Sequence, residues 1–305
     1  MMKKLILLIF LTFNLSAREI TPSDVYAQVV LIEQEINYML DYYKIEYNEE
    51  KIKRDVKIYA KLKPRDVWQK SYEIMVKINM LRNAHHFPSI SPVNMVPVLH
   101  LNPNLVYEQT QRIMTEINIF EYMNSIKIKK FELKHYMGKT PLDVFNGLSY
   151  ISSALDRINK SSFTPSYVFA QNMRIYDDLS LILGKLNITD NTIPAKVNPK
   201  ATPKDTFDTG IKILEKIKQL QILAGIGFVD FSSFKKQKAT SSDVFTITQM
   251  IIAELQTIKA YLGIENITPE AKLYKSKTPV EVDQLMSWNL RKLNLVSNIV
   301  GGLDE

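Results

Sequence analysis

The chain predicts an all-α fold: a helical repeat or bundle of eight long amphipathic helices, in two duplicated four-helix halves joined by extended linkers. Three observations carry this expectation. A helix-starting string recurs eight times; apolar residues follow each copy at helical spacing; and the interval between copies is nearly constant except once, at the midpoint.

The copies are TPSDVY at Thr21, KPRDVW at Lys63, NPNLVY at Asn102, TPLDVF at Thr140, TPSYVF at Thr164, TPKDTF at Thr202, TSSDVF at Thr240 and TPVEVD at Thr278. Each reads as a helix start. Threonine is a good N-cap, and proline suits the first helical position because its missing N–H had no intrahelical partner there. An acid three residues after the cap reaches back to the cap's backbone N–H. Asp24, Asp66, Asp143, Asp205, Asp243 and Glu281 fill that place, so the expected caps are Thr21, Thr140, Thr164, Thr202, Thr240 and Thr278 with those acids. Lys63 and Asn102 replace threonine, Leu105 and Tyr167 replace the acid, and Ser241 replaces proline. Ile20 with Val25 and Phe163 with Val168 fit the hydrophobic staple that fixes the entering chain.

Downstream, the register holds. Valine stands four residues after the cap in seven copies and an aromatic ring five residues after it in seven. Isoleucine occupies the eleventh place in seven, and the fifteenth and eighteenth are apolar in all eight. Places 4, 11, 15 and 18 form one stripe of a helix about six turns long. The repeated carboxylates and rings are accordingly assigned to capping and core rather than to a catalytic array or a stacking platform.

The spacings are 42, 39, 38, 24, 38, 38 and 38 residues. The long intervals leave linkers of roughly 14–20 residues, enough to run back along a helix and start the next one parallel to it. Segments 96–101 and 126–133 look extended. The short interval places a junction at residues 159–164 and divides the chain into modules 18–163 and 164–305.

Residues 1–17 read as a secretory signal: Lys3 and Lys4, an apolar run from Leu5 to Phe13, and Ala17 at the cleavage position. A run of nine residues is too short to span a bilayer, and no later segment is long and uncharged enough. Cleavage lowers the net charge from +7 to +5. The chain has no cysteine, which excludes disulfides, thiol catalysis and cysteine-ligated metals. A periplasmic or secreted bacterial protein is expected, with nucleic acid an improbable partner.

Catalytic motifs are missing: there is no HExxH, GxSxG, P-loop or glycine-rich dinucleotide turn, and Gly225–Gly227 is better explained as a helix end. His85, His86 and His100 share one irregular linker and are weak candidates for a metal, since no carboxylate accompanies them. No cofactor is expected. Lysines 127, 129, 130, 134, 235, 236, 238, 272, 275 and 277 concentrate in linkers that, if they share a side, form a basic surface for anionic groups. The expected function is a non-catalytic interaction or scaffold component of the cell envelope, with an envelope protein as partner. The alternative is a small-ligand-binding or sensory module, with a pocket between helices or near residues 159–164. These two diverge in one respect: a scaffold needs a filled core, a binding module a pocket with convergent polar groups.

Overall fold

A computed structural model describes residues 19–301, so the signal expected over residues 1–17 lies outside the described residues. All regular structure among them is helical: α1 (Pro22–Tyr42), α2 (Glu49–Val56), α3 (Pro64–Ala84), α4 (Pro103–Met123), α5 (Pro141–Ile158), α6 (Pro165–Lys185), α7 (Pro203–Leu223), α8 (Ser241–Tyr261) and α9 (Pro279–Gly301). The eight long helices each begin on the residue after the N-cap of a repeat string.

The expectation of eight helices is corrected by one short addition. The α1–α3 connection, the longest interval, contains α2. Asn48 caps it by accepting from the Lys51 N–H at 2.8 Å, Glu49 and Glu50 sit at its positive end, and Ile52 is buried. Lys53 bridges Glu33 of α1 (2.7 Å) and Glu49 (2.8 Å), which fastens the helix to the body. Segments 96–101 and 126–133 form neither helix nor strand.

Burial follows the stripe. Places 4, 11, 15 and 18 after each cap are buried in all eight long helices, including the polar replacements Thr206 and Asn289. Two neighbour rings result. α1 and α3 each pack against α4 and α5, whereas α6 and α7 each pack against α8 and α9. In both rings the first and second long helices lie diagonally opposite, as do the third and fourth. Contact between the rings runs through α3 and α8.

Each ring is a parallel bundle. Pro22, Pro64, Pro103 and Pro141 meet with Val25, Val67, Val106 and Val144 around one small apolar chamber. Pro165, Pro203, Ser241 and Pro279 do the same with Val168, Thr206, Val244 and Val282. Four helix N-termini therefore stand together at one end of each bundle. Their parallel dipoles repel, and three capping acids per bundle place negative charge where that repulsion is greatest.

The helix ends repeat as well. Seven long helices finish with a residue of positive φ two places after the last helical one: Lys44, His86, Ser125, Lys160, Asn187, Gly225 and Gly263. The next residue's N–H then bonds back to the helix, as in Ile45 to Leu40 O (2.9 Å), Phe87 to Arg82 O (2.8 Å) and Ile264 to Lys259 O (2.9 Å). This is the Schellman closure. It turns the chain into its return linker, whose apolar residues, among them Ile58, Leu62, Met95, Ile126, Phe231 and Phe234, are buried along the way.

The bundles lie side by side and antiparallel. Arg65 near the start of α3 meets Glu254 in the later half of α8, and Lys70 reaches Thr246 nearer the start of α8. The short junction imposes this, because α6 starts at the end of the first bundle where α5 stops.

Candidate functional site

A cavity of about 380 Å³ opens between the bundles, with walls from α3, α5 and α8, the junction, and the linkers preceding α3 and α8. That volume suits a small molecule. α3 supplies Lys70, Glu73 and Lys77 at i, i+3, i+7 spacing, a stripe separate from the one that faces the first bundle's core. α5 supplies Ser149, Ser152, Ser153 and Asp156, and the start of α8 supplies Ser242, Asp243 and Thr246. Phe145 and Phe234 give it apolar surfaces, and Lys236 stands at its more open side.

Six charged groups form three pairs: Lys70 with Glu73 (2.6 Å), Lys77 with Asp156 (2.7 Å) and Lys236 with Asp243 (2.5 Å). Hydroxyls link them. Ser152 donates to Glu73 at 2.6 Å, Thr246 to the other Glu73 oxygen at 2.8 Å, and Ser162 to Asp156 at 3.1 Å. Lys77 also donates to the Ser152 carbonyl at 3.0 Å. Burial lowers the Lys70 ammonium's pKa, against the pull of Glu73. Burial alone would raise the Glu73 carboxyl, but Lys70 and Lys77 outweigh it and hold the group below its ordinary range. Asp156 is raised by burial despite Lys77. Asp243 is lowered: burial opposes this, but Lys236 and the Thr240 N–H prevail. The lining combines an apolar surface, the larger share of its exposed area, with charged groups that are neutral in sum. It suits hydrogen-bonding recognition of a ligand without net charge.

The capping residues occupy the helix starts. Asp24, Asp143, Asp205 and Asp243 each accept from the backbone N–H of Thr21, Thr140, Thr202 and Thr240 at 2.8 Å, and Glu281 accepts from that of Thr278 at 3.0 Å. Asp66 accepts the Lys63 N–H at 2.8 Å. Thr164, whose N3 residue is Tyr167, makes no side-chain cap bond. Of these, Thr240 and Asp243 also line the cleft. The repeated ring is buried at Trp68, Phe145, Phe207 and Phe245 and half-buried at Tyr26, Tyr107 and Phe169.

The histidines fall elsewhere. His85 closes α3 and bonds Asn124 Oδ1 at 2.8 Å, its ring edge-on to Phe120. His86 is the exposed positive-φ residue that ends the helix, and His100 is exposed in a bend. Among the described residues no three histidine or carboxylate side chains gather as metal ligands.

Lys70, Glu73, Lys77 and Asp156 went unassigned in the sequence because charged residues at helical spacing ordinarily face water. One signal does stand in the chain: between Asp243 and Lys259 the only charged residue of α8 is Glu254. A helix so poor in charge is enclosed on all sides, and every residue from Val244 to Lys259 is buried.

No protein-family model matches this chain, and neither a curated protein nor a solved structure matches it.

Proposed function

We propose that the protein is an exported, non-catalytic helical module that binds a small polar ligand of no net charge, hydroxyl-rich or zwitterionic, in the cleft between its two bundles. The observation that carries this reading is the cleft itself: ligand-sized, ringed by hydroxyls, and bearing three ammonium and three carboxylate groups that cancel in pairs. Of the two functions open to the sequence, this is the one that calls for convergent polar groups around a pocket. Export is the reading of residues 1–17, and a periplasmic or secreted location follows from it. No helix among the described residues is long and apolar enough to cross a membrane.

The module is read as two halves, 18–163 and 164–305, from a duplicated four-helix ancestor. The matching neighbour rings support this, as do three contacts recurring at equivalent places. Tyr26 packs edge-on to Tyr136 as Phe169 does to Tyr274. Lys139 lies over Tyr26 as Lys277 lies over Phe169. The Lys139 N–H donates to Ser23 and the Lys277 N–H to Ser166, both at 3.1 Å.

The test is a thermal-shift screen of sugars, polyols, amino acids and phosphates against the protein and Ser153→Phe, which fills the cleft. A neutral polar or zwitterionic compound should raise the melting temperature saturably in the parent and not in the variant. A response confined to phosphates, or none in any class, sinks the proposal. The second reading, a scaffold held by an envelope protein, has its own support in exposed apolar side chains on the linkers, Met137 at 93% and Ile193 at 70% exposure. In-cell crosslinking that captures one dominant envelope protein through those linkers would favour it.

A further inference from the structure

The equivalent seams of the two bundles differ in sign at one place. In the second bundle Asp178 stands fourteen residues after its helix cap, and Lys259 of the neighbouring α8 nineteen after its own. Both are fully buried, and they pair at 2.7 Å. Gln256 (3.0 Å) and the Thr268 hydroxyl (2.6 Å) donate to the other Asp178 oxygen, so both oxygens are satisfied. In the first bundle the same two places hold Glu35 on α1 and Glu121 on α4. A carboxylate stands where the ammonium would be.

Among the described residues, nothing in the first bundle replaces that ammonium. Glu35 is 5% and Glu121 0% exposed. Both Glu121 carboxyl oxygens and one of Glu35's have no hydrogen-bond partner, and the nearby oxygens of Gln34 and Asn118 are likewise acceptors without donors. From the α4–α5 linker, Lys129 is the one cation among the described residues that Glu35 senses, and it is drawn toward the Tyr38 and Phe131 rings. From α3 come His85, bonded to Asn124, and Arg82, bonded to Glu116. Tyr43 at the end of α1 senses Glu121. From α5, Tyr150 is hydrogen-bonded to Asn37, and no charge of that helix acts on either carboxyl.

Two ionised, unpartnered carboxylates in one buried seam are costly, and the fold is relieved of that cost when they carry protons. We infer that the Glu35–Glu121 pair is a proton-operated latch on the α1–α4 seam, closed when the carboxyls are protonated and loosened when they ionise. The titration fits. Burial pushes Glu35 up to about 7 against the pull of Lys129, and burial with the added repulsion of Glu35 pushes Glu121 up to about 7. Because the folded values lie above the ordinary glutamate range, the stability they confer is complete at acid pH. It is lost as pH rises through about 7. The second bundle, with its ion pair, supplies an internal control.

Hydrogen exchange measured residue by residue from pH 5.5 to 8.5, corrected for intrinsic rates, tests this. Protection of α1 and α4 amides should fall roughly tenfold or more relative to α6 and α8 as pH rises. Glu121→Gln should reduce that pH dependence and Glu35→Gln with Glu121→Gln should abolish it, because burial raises Glu35 independently of Glu121. Glu121→Lys should recreate the second bundle's pair and hold α1 and α4 closed at pH 8.5. The inference is overturned if protection in the two bundles stays parallel across the range, or if Glu121→Gln keeps the full pH dependence. It is also overturned if added calcium or magnesium restores protection at pH 8.5, since a metal ion would then be the seam's occupant.

Discussion

At the scale of single residues, the capping acids and the cleft ions have to be separated, because Asp243 belongs to both. It accepts the Thr240 N–H at 2.8 Å, pairs with Lys236 and lines the cavity, so its removal confounds stability with binding. Asp205 is the cleaner probe. It accepts from both the N–H (2.8 Å) and the hydroxyl (2.6 Å) of Thr202 and stands apart from the cleft. Asp205→Ala should destabilise by ~1 kcal/mol in urea unfolding at pH 7. The Thr202 hydroxyl, followed by its N–H, holds the Asp205 carboxyl below the usual aspartate range. A folded value below the unfolded one means stability present above about pH 4 and lost as pH falls through the folded value. The cost of the substitution should therefore shrink in acid, and a cost unchanged at pH 2.5 would refute the assignment.

At the scale of helices, two glycines contrast a crowded seam with an open face. Gly210 of α7 leaves no room: an added Cβ would overlap the Ile247 side chain of α8 and sit 3.5 Å from Met286 of α9. Gly184 of α6 faces open space. The same substitution should thus have opposite signs. Gly210→Ala should cost about 1–2 kcal/mol, overpacking outweighing the better helix propensity. Gly184→Ala should gain up to ~1 kcal/mol. Thermal unfolding of the two variants checks the parallel packing of α7 and α8 directly, since equal effects would mean the seam is looser than described.

At the scale of the molecule, the α3–α8 seam joins two bundles that each have their own core. Arg65 grips Glu254 through Nε (2.7 Å) and Nη2 (2.9 Å), and Gln221 donates to the same carboxylate at 2.6 Å. Asp66 lies beside them, its carboxyl raised well above the ordinary range, by burial first and then by Glu254. The arrangement contributes register more than net stability, because a buried pair returns little beyond its own desolvation. Breaking it is another matter. Arg65→Ala should destabilise by about 3–5 kcal/mol, whereas Arg65→Met with Glu254→Leu should recover most of the loss. If the double variant is as unstable as the single, the seam depends on the charges themselves.

The sequence by itself determined the helices. Thr-Pro-x-Asp specifies where each begins, the stripe at places 4, 11, 15 and 18 specifies the face it buries, and linker length allows parallel neighbours. These are local or periodic properties, so they can be read from one chain. A further periodic signal, the isoleucine or phenylalanine twenty-four residues after six of the caps, is the Schellman closure and was equally available. Only the tertiary structure decided which helices adjoin and which charged residues lose their water. Lys77 and Lys216 are both lysines fourteen residues after a cap, yet the first is 1% exposed and the second only half-buried. Helical spacing describes one helix's own face; the face a second bundle covers depends on contacts such as Arg65–Glu254, 189 residues apart. The cleft and the acid pair arise there, where a charge's cost is set by its surroundings and not by its place in the repeat.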